Sequence, residues 1–167
     1  MNYKAIIGIF VGTVVLIGGL IWLGQPGANT SSGQTNKNPA ADSLKIEETN
    51  FDFGTVSMAN GKVNHTFKIT NTGSEPVTMS KLFTSCMCTT ASLMVGNDKF
   101  GPFGMQGHGF IPSIKGVIQP NQEANVEVVF DPNAHGPAGV GKIQRVVTLE
   151  NNAGGPVEFN FSAMVTP

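Results

Sequence analysis

The chain has 167 residues, with ten lysines and arginines against eleven aspartates and glutamates, and a formal net charge of −1. This length accommodates one domain with an appendage, and the balanced charge argues against nucleic acid as a partner because neutralising phosphates requires a basic face. Two cysteines are too few for a disulfide-dense scaffold, and a charged fraction of 13% is low for a soluble cytosolic enzyme.

The first segment has the properties of a membrane span. Ala5 to Leu23 is a run of nineteen residues without a charge. As a helix it would be roughly 28 Å long, which matches the hydrocarbon thickness of a bilayer. Lys4 and the amino terminus carry the positive charges that precede Lys37, which favours a cytoplasmic N-terminus. We predict that residues 1–24 form a single-pass anchor in the cell membrane, with a cleaved signal as the alternative, and that the rest is extracytoplasmic.

A polar segment follows the apolar run. Residues 25–42 consist mainly of Gly, Pro, Ser, Thr, Asn and Ala, with few hydrophobic side chains. Such a composition cannot bury enough apolar surface to offset the entropy lost on ordering. The sequence therefore predicts a flexible linker, followed by a folded domain over residues 43–167.

From residue 43 onward, apolar residues recur with a period of two, which is typical of half-buried strands. No window sustains helical spacing for three turns. Short strands separated by turns over this length predict an all-β, Ig-like antiparallel β-sandwich. The predicted strands cover residues 44–48, 51–56, 63–70, 77–83, 124–130, 143–150 and 157–165.

Phenylalanines supply most of the predicted core. One face of each strand would contribute to it, and the candidates are Phe51, Phe53, Phe67, Phe83, Phe130, Phe159 and Phe161. Leu93 to Gln119 is the exception, because it is rich in Gly and Pro and too long for a hairpin turn. We predict a long loop there that packs back on the sandwich.

Five segments of the chain resemble, in this order, the bacterial domain of unknown function 1573. They are FDFGTV, HTFKITNTGSEPVTM, SCMCTT, VFDP and GKIQRVVTLENN. The resemblance covers roughly Leu44 to Val165, and Met87 stands where that family usually has Gly in Ser-Cys-Gly-Cys-Thr. It implies an Ig-like sandwich related to Hydin-type and PapD-like domains, in a protein that is exported, tethered or on the cell surface.

Cys86 and Cys88 carry the most distinctive chemistry. In an extended strand, residues two apart project from the same face with Cα atoms roughly 6.5 Å apart, so a direct disulfide would demand local bending. Two thiolates on one face suit a soft cation such as Cu(I). Met105 and His108, in the loop that follows, are candidates to complete the metal site. The predicted ligands are therefore Cys86, Cys88, Met105 and His108.

Other interpretations of the cysteine pair remain open. The two residues could be small buried hydrophobes or a strained disulfide, or they could perform thiol redox chemistry. Redox chemistry ranks last, since Lys81 is the one basic residue that adjoins the pair in sequence. Met87 is expected to pack on the opposite face, and His135 to be a capped or solvated turn residue.

The sequence contains no hydrolase motif such as Gly-x-Ser-x-Gly or His-Glu-x-x-His. We therefore predict a non-enzymatic binding or structural module, tethered to the membrane, with an envelope protein as its partner and no catalytic residues. The alternative is an extracytoplasmic Cu(I)-binding protein that uses the Cys-x-Cys motif, and no other cofactor is expected.

Overall fold

A computed structural model describes residues 43–107, 110 and 112–167. The predicted anchor and linker, and His108 of the predicted metal site, lie outside these residues. Within the described part, no helix has the length and hydropathy that crossing a bilayer requires. The strands are β1 (Leu44–Ile46), β2 (Asn50–Ser57), β3 (Val63–Asn71), β4 (Val77–Thr84), β5 (Thr89–Val95), β6 (Asp98–Phe103), β7 (Gly116–Ile118), β8 (Glu123–Phe130), β9 (Gly141–Asn151) and β10 (Val157–Thr166).

The strands form two five-stranded sheets that pack face to face. The first sheet has the order β1-β3-β8-β5-β6, and the second has the order β2-β10-β9-β4-β7. Neighbouring strands run antiparallel, except that β2 runs parallel to β10. The all-β sandwich predicted from the period of two is confirmed.

The core lies between the two sheets and is built on aromatic rings. Phe67 of β3 and Phe159 of β10 are fully buried, and their ring centroids are 4.8 Å apart. Phe130 and Phe161 are also buried, as predicted. The alternation of strand side chains thus places one face of each sheet in the core, because successive residues point to opposite faces.

Phe83 does not join this core, although the sequence predicts it there. The pairing of β4 with β9 shifts register between Met79 and Lys81, so one extra residue is inserted into β4. Such a bulge exchanges the two faces of the strand beyond it. Met79 points inward before the bulge and Leu82 after it, while Phe83 is left only half-buried.

The predicted long loop is only partly a loop. Its first residues belong to β5, and β6 and β7 also form within it. β6 pairs with β5 at one edge of the first sheet, and β7 pairs with β4 at one edge of the second. An edge strand tolerates Gly and Pro because one side of its ladder is unpaired. This is why the composition of Leu93–Gln119 concealed two strands.

The side chain of Asn71, the last residue of β3, makes hydrogen bonds to the turn after β3 and to strand β7. Its side chain is fully buried, and its amide group donates to the carbonyls of Glu75 at 2.8 Å and Ile118 at 2.9 Å. The Asn71 side-chain oxygen accepts from the backbone N–H of Gly73 at 3.0 Å. Close by, the Thr72 N–H donates to the carbonyl of Ser43, the first described residue. One polar side chain therefore ties together the turn after β3 and strand β7.

Strand β8 lies in the middle of the first sheet, between β3 and β5. Its first residue, Glu123, pairs with Thr70 of β3, and its last residue, Phe130, pairs with both Val63 of β3 and Thr89 of β5. The backbone N–H of Asp131, just after β8, donates to the carbonyl of Cys88 at 2.8 Å. The end of β8 therefore supports the segment that carries the two cysteines.

Candidate functional site

Cys86 and Cys88 lie in the tight turn that leads from β4 in the second sheet to β5 in the first. The N–H of Thr89 donates to the carbonyl of Cys86 at 3.1 Å, which closes the turn. The hydroxyl of Thr84 hydrogen bonds to the carbonyls of Cys86 and Thr89, each at 3.0 Å. The expectation of an extended strand at the cysteines is therefore wrong.

The turn brings the two sulfur atoms together. The Sγ atoms of Cys86 and Cys88 are 2.7 Å apart, and both thiols are free. This separation is longer than the roughly 2.05 Å of a disulfide bond. It is short enough for the Cys88 thiol to donate a hydrogen bond to the Cys86 sulfur. The fold thus provides the local bend that a disulfide between Cys86 and Cys88 would require.

Two basic side chains complete the cluster. His135 precedes the 3-10 turn Gly136–Gly139, and its Nε2 lies 3.2 Å from the Sγ of Cys86. Arg145 of β9 donates from Nε to the Sγ of Cys88 at 3.2 Å. We call Cys86, Cys88, His135 and Arg145 the thiol cluster. Its arrangement removes the reason for ranking redox chemistry last, because basic groups contact both sulfurs.

The surroundings make the two thiols unequal. Burial by itself raises the pKa of Cys86, but hydrogen bonds from the Cys88 thiol and backbone, the contact with His135 and the charge of Arg145 outweigh it and lower that pKa to about 7. Burial and the hydrogen bond to Cys86 raise the pKa of Cys88, against the opposing effect of Arg145. Cys86 is therefore the member of the pair that carries negative charge more readily.

Access to the two thiols also differs. Cys88 is buried at 2% relative exposure, whereas Cys86 is half-buried. Met87, between them, is 56% exposed, so the expectation that it packs on the opposite face is wrong. A small molecule approaching the turn meets Met87 and Cys86 before Cys88.

The predicted metal ligands are only partly brought together within the described residues. The backbone of Met105 pairs with Thr84, and the N–H of Thr84 donates to the carbonyl of Gly104 at 3.0 Å. The loop therefore folds alongside the end of β4, as the sequence analysis supposed. His108 lies outside the described residues, so its role and that of Met105 stay predictions.

His135 and Arg145 are the two residues of the site that the sequence analysis missed. The sequence did contain a sign of Arg145, because it is a charged residue in an otherwise apolar series on one face of β9. The other members of that series are Ile143, Val147 and Leu149. Nothing in the sequence pointed to His135 as a neighbour of the cysteines, since it lies far from Cys88 along the chain, in a turn of ordinary composition.

The thiol cluster contains donors for a soft metal ion. The sulfur atoms of Cys86 and Cys88 and a ring nitrogen of His135 all lie within 4.8 Å of one another. Thiolates bound to one ion at about 2.3 Å stand roughly 3.7–4.6 Å apart, so the sulfurs, now 2.7 Å apart, would have to separate by about 1–2 Å to hold it. The donors suit Cu(I), and the turn would have to open to accommodate it.

A second feature lies on the outer face of the second sheet. Two adjoining depressions with volumes of about 430 and 330 Å³ share Asp52, Gln144 and Ser162. Hydrogen bonds from the hydroxyl of Ser162 at 2.8 Å and the N–H of Gly54 lower the pKa of Asp52. We call this feature the polar groove; its outward-facing polar side chains are Asn50, Asp52, Gln144, Asn160 and Ser162.

Comparison with known proteins supports the family resemblance. Residues 44–97, which include both cysteines, match the model of the family described as "Protein of unknown function (DUF1573)". The resemblance drawn from the sequence is thereby confirmed over residues 44–97, which contain FDFGTV, HTFKITNTGSEPVTM and SCMCTT. No curated protein matches the chain.

Two solved structures, both of low sequence identity, are similar to this chain. A protein of unknown function from Porphyromonas gingivalis aligns with a TM-score of 0.51 at 15% identity, over 72% of this chain and 46% of that one. This chain thus spans less than half the length of that protein. A PapD-like domain of human CEP192 aligns with a TM-score of 0.47 at 14% identity, over 77% of this chain and 88% of that domain. The described residues form an all-β sandwich of two sheets.

Proposed function

We propose that the protein is a membrane-tethered, extracytoplasmic Ig-like module that binds another protein of the cell envelope through the polar groove. The apolar run Ala5 to Leu23 supports the tether and the location. The polar groove is the observation on which the binding function depends. It is a concave surface on three paired strands, β2, β10 and β9.

The chemistry of the polar groove suits a polypeptide partner. Amide groups of Asn50, Gln144 and Asn160 offer both hydrogen-bond donors and acceptors, as a protein surface requires. Asp52 and Lys142 place opposite charges along the groove. Binding surfaces of non-obligate complexes have this mixed polar character, with directional hydrogen bonds that determine register.

Photo-crosslinking in the intact chain tests the proposal. A photoreactive amino acid at Gln144, in the polar groove, should give one adduct of defined mass in the membrane fraction. The same amino acid at Thr66, exposed on the outer face of the first sheet, is the matched control and should not give that adduct. The captured protein, once purified, should bind Gln144→Arg at least about 10-fold more weakly than the original chain, the effect of about 1.4 kcal/mol.

Two results would contradict this proposal. Equal crosslinking from Gln144 and Thr66 would show that the groove is not the interface. A reporter fused after Pro167 that is active only in the cytosol would exclude the proposed location.

Cu(I) binding by the cysteine pair is a second candidate function. The observation that favours it is the third donor, since the Nε2 of His135 stands beside two sulfurs. Cu(I) prefers soft thiolate ligands and also accepts imidazole. The reduced protein should retain Cu(I) against a moderate chelator, and the double change Cys86→Ser with Cys88→Ser should lower its affinity at least about 100-fold. Unchanged affinity in the double variant would remove this candidate.

A further inference from the structure

We propose that the thiol cluster is a dithiol–disulfide exchange site that reacts with small-molecule disulfides, with Cys86 as the attacking thiol and Cys88 as the resolving thiol. The inference does not rest on the proposed binding function, because it concerns the turn between β4 and β5 and needs no partner protein, although Arg145 also lines the larger depression of the polar groove.

The first argument is proximity. A resolving thiol must attack the neighbouring cysteine sulfur once that sulfur carries the mixed disulfide. The Sγ atoms of Cys86 and Cys88 are already 2.7 Å apart. The turn is held by the N–H of Thr89 and the hydroxyl of Thr84, so this closeness is a property of the backbone. Forming the intramolecular disulfide from here requires a movement of less than 1 Å, given a bond length of about 2.05 Å.

The second argument is the division of roles between the sulfurs. Cys86 is the more accessible thiol, and it receives hydrogen bonds from the thiol and the backbone N–H of Cys88. These contacts stabilise the thiolate, which is the nucleophile in exchange. Cys88 is buried beneath it, so a disulfide from solvent reaches Cys86 first.

The third argument is the placement of the two basic groups. The Nε2 of His135 stands 3.2 Å from the Cys86 sulfur, where it can take the thiol proton. Arg145 donates to the Cys88 sulfur at 3.2 Å, where it stabilises the negative charge that develops as Cys88 attacks. Arg145 is therefore a positioning residue for the second step.

The exchange proceeds in two balanced steps. Cys86 gives its proton to His135 and attacks a disulfide RS–SR; the S–S bond breaks, a mixed disulfide Cys86–SR forms, and RS⁻ leaves and takes up a proton. Cys88 then gives its proton to water and attacks the Cys86 sulfur; the Cys86–SR bond breaks, the Cys86–Cys88 disulfide forms, and the second RS⁻ leaves and takes a proton from water to become RSH. The two cysteine thiols are oxidised to one disulfide, and RS–SR is reduced to two thiols.

The test uses the full chain in detergent micelles, reduced and freed of metal by a chelator, with glutathione disulfide as the probe. The unchanged chain should lose both free thiols and release two molecules of glutathione per chain. Cys88→Ser should stop at a stable glutathione adduct on Cys86. Cys86→Ser, the matched control, should form its adduct at least about 10-fold more slowly, because the remaining thiol is buried. Circular dichroism verifies that both variants are folded.

A further variant separates redox chemistry from a merely structural cysteine pair. Arg145→Met should lengthen the lifetime of the mixed disulfide on Cys86 by a larger factor than it slows its formation, because Arg145 bonds directly to the Cys88 sulfur and acts on Cys86 by its charge. The exposed Lys45→Met should change neither rate. The proposal is overturned if the unchanged chain keeps both thiols, or if the two single-cysteine variants react at the same rate. The thiol count on the unchanged chain decides the matter even if a variant fails to fold.

Discussion

Replacing Phe67 with alanine should lower the free energy of unfolding by about 3–5 kcal/mol, the range for deleting a buried aromatic side chain. The ring is fully buried between the sheets, where it stacks on Phe159 with 4.8 Å between ring centroids and meets the ring of His65 edge to face. The loss combines the transfer free energy of the ring with the cavity that it leaves, because β-sheet walls held by paired strands collapse little. Urea unfolding of residues 43–167, followed by circular dichroism, measures the effect.

Phe110 provides the matched control for this substitution. It is 91% exposed, so the same change to alanine should shift the free energy of unfolding by less than about 0.5 kcal/mol. An effect of Phe67→Ala as small as that of Phe110→Ala would show that the two sheets do not pack through Phe67.

Replacing Asn71 with alanine should destabilise the domain by about 2–4 kcal/mol, although the change removes little apolar surface. The carbonyl of Ile118 and the N–H of Gly73 would lose their partner, and a buried polar group without a hydrogen bond costs far more than the bond contributes on average. Urea unfolding measures this loss as well.

Two further variants show whether the hydrogen bonds are the cause. Asn71→Asp keeps an acceptor for Gly73 but removes the donors to Glu75 and Ile118, so it should also destabilise the domain. Asn64→Ala, at an exposed position of the same strand, should change the free energy of unfolding by less than about 0.5 kcal/mol. Equal stability of the Asn71 and Asn64 variants would contradict the assigned role.

The sandwich was predictable because each buried strand face leaves a period of two in the sequence. Residues 63–70 and 157–165 were both predicted as strands, and both are strands. The strands β6 and β7 escaped prediction because β6 has no buried residue and β7, with three residues, is too short to show a period. Phe83 shows a different limit, since a bulge depends on pairing with β9 and leaves no mark in local composition.

The site was predictable in its centre but not in its surroundings. The Cys-x-Cys motif identified the two sulfurs, but their separation depends on a turn whose closing contacts come from Thr84 and Thr89. His135 reaches Cys86 only because the end of β8 is bonded to the cysteine turn through Asp131. Contacts of that kind arise from tertiary structure, and spacing along the chain carries no information about them.

The pairing along β8 separates the start of the described chain from the cysteine turn. Ser43 is joined to the turn after β3, beside the first residue of β8, whereas Cys88 is bonded just beyond its last residue. Eight residues of strand separate these two poles by about 24 Å. The described chain therefore begins at one end of the first sheet, and the cysteine turn lies at the other. The half-buried Cys86 is thus reached from the end of the sheet opposite Ser43, with the buried Cys88 behind it.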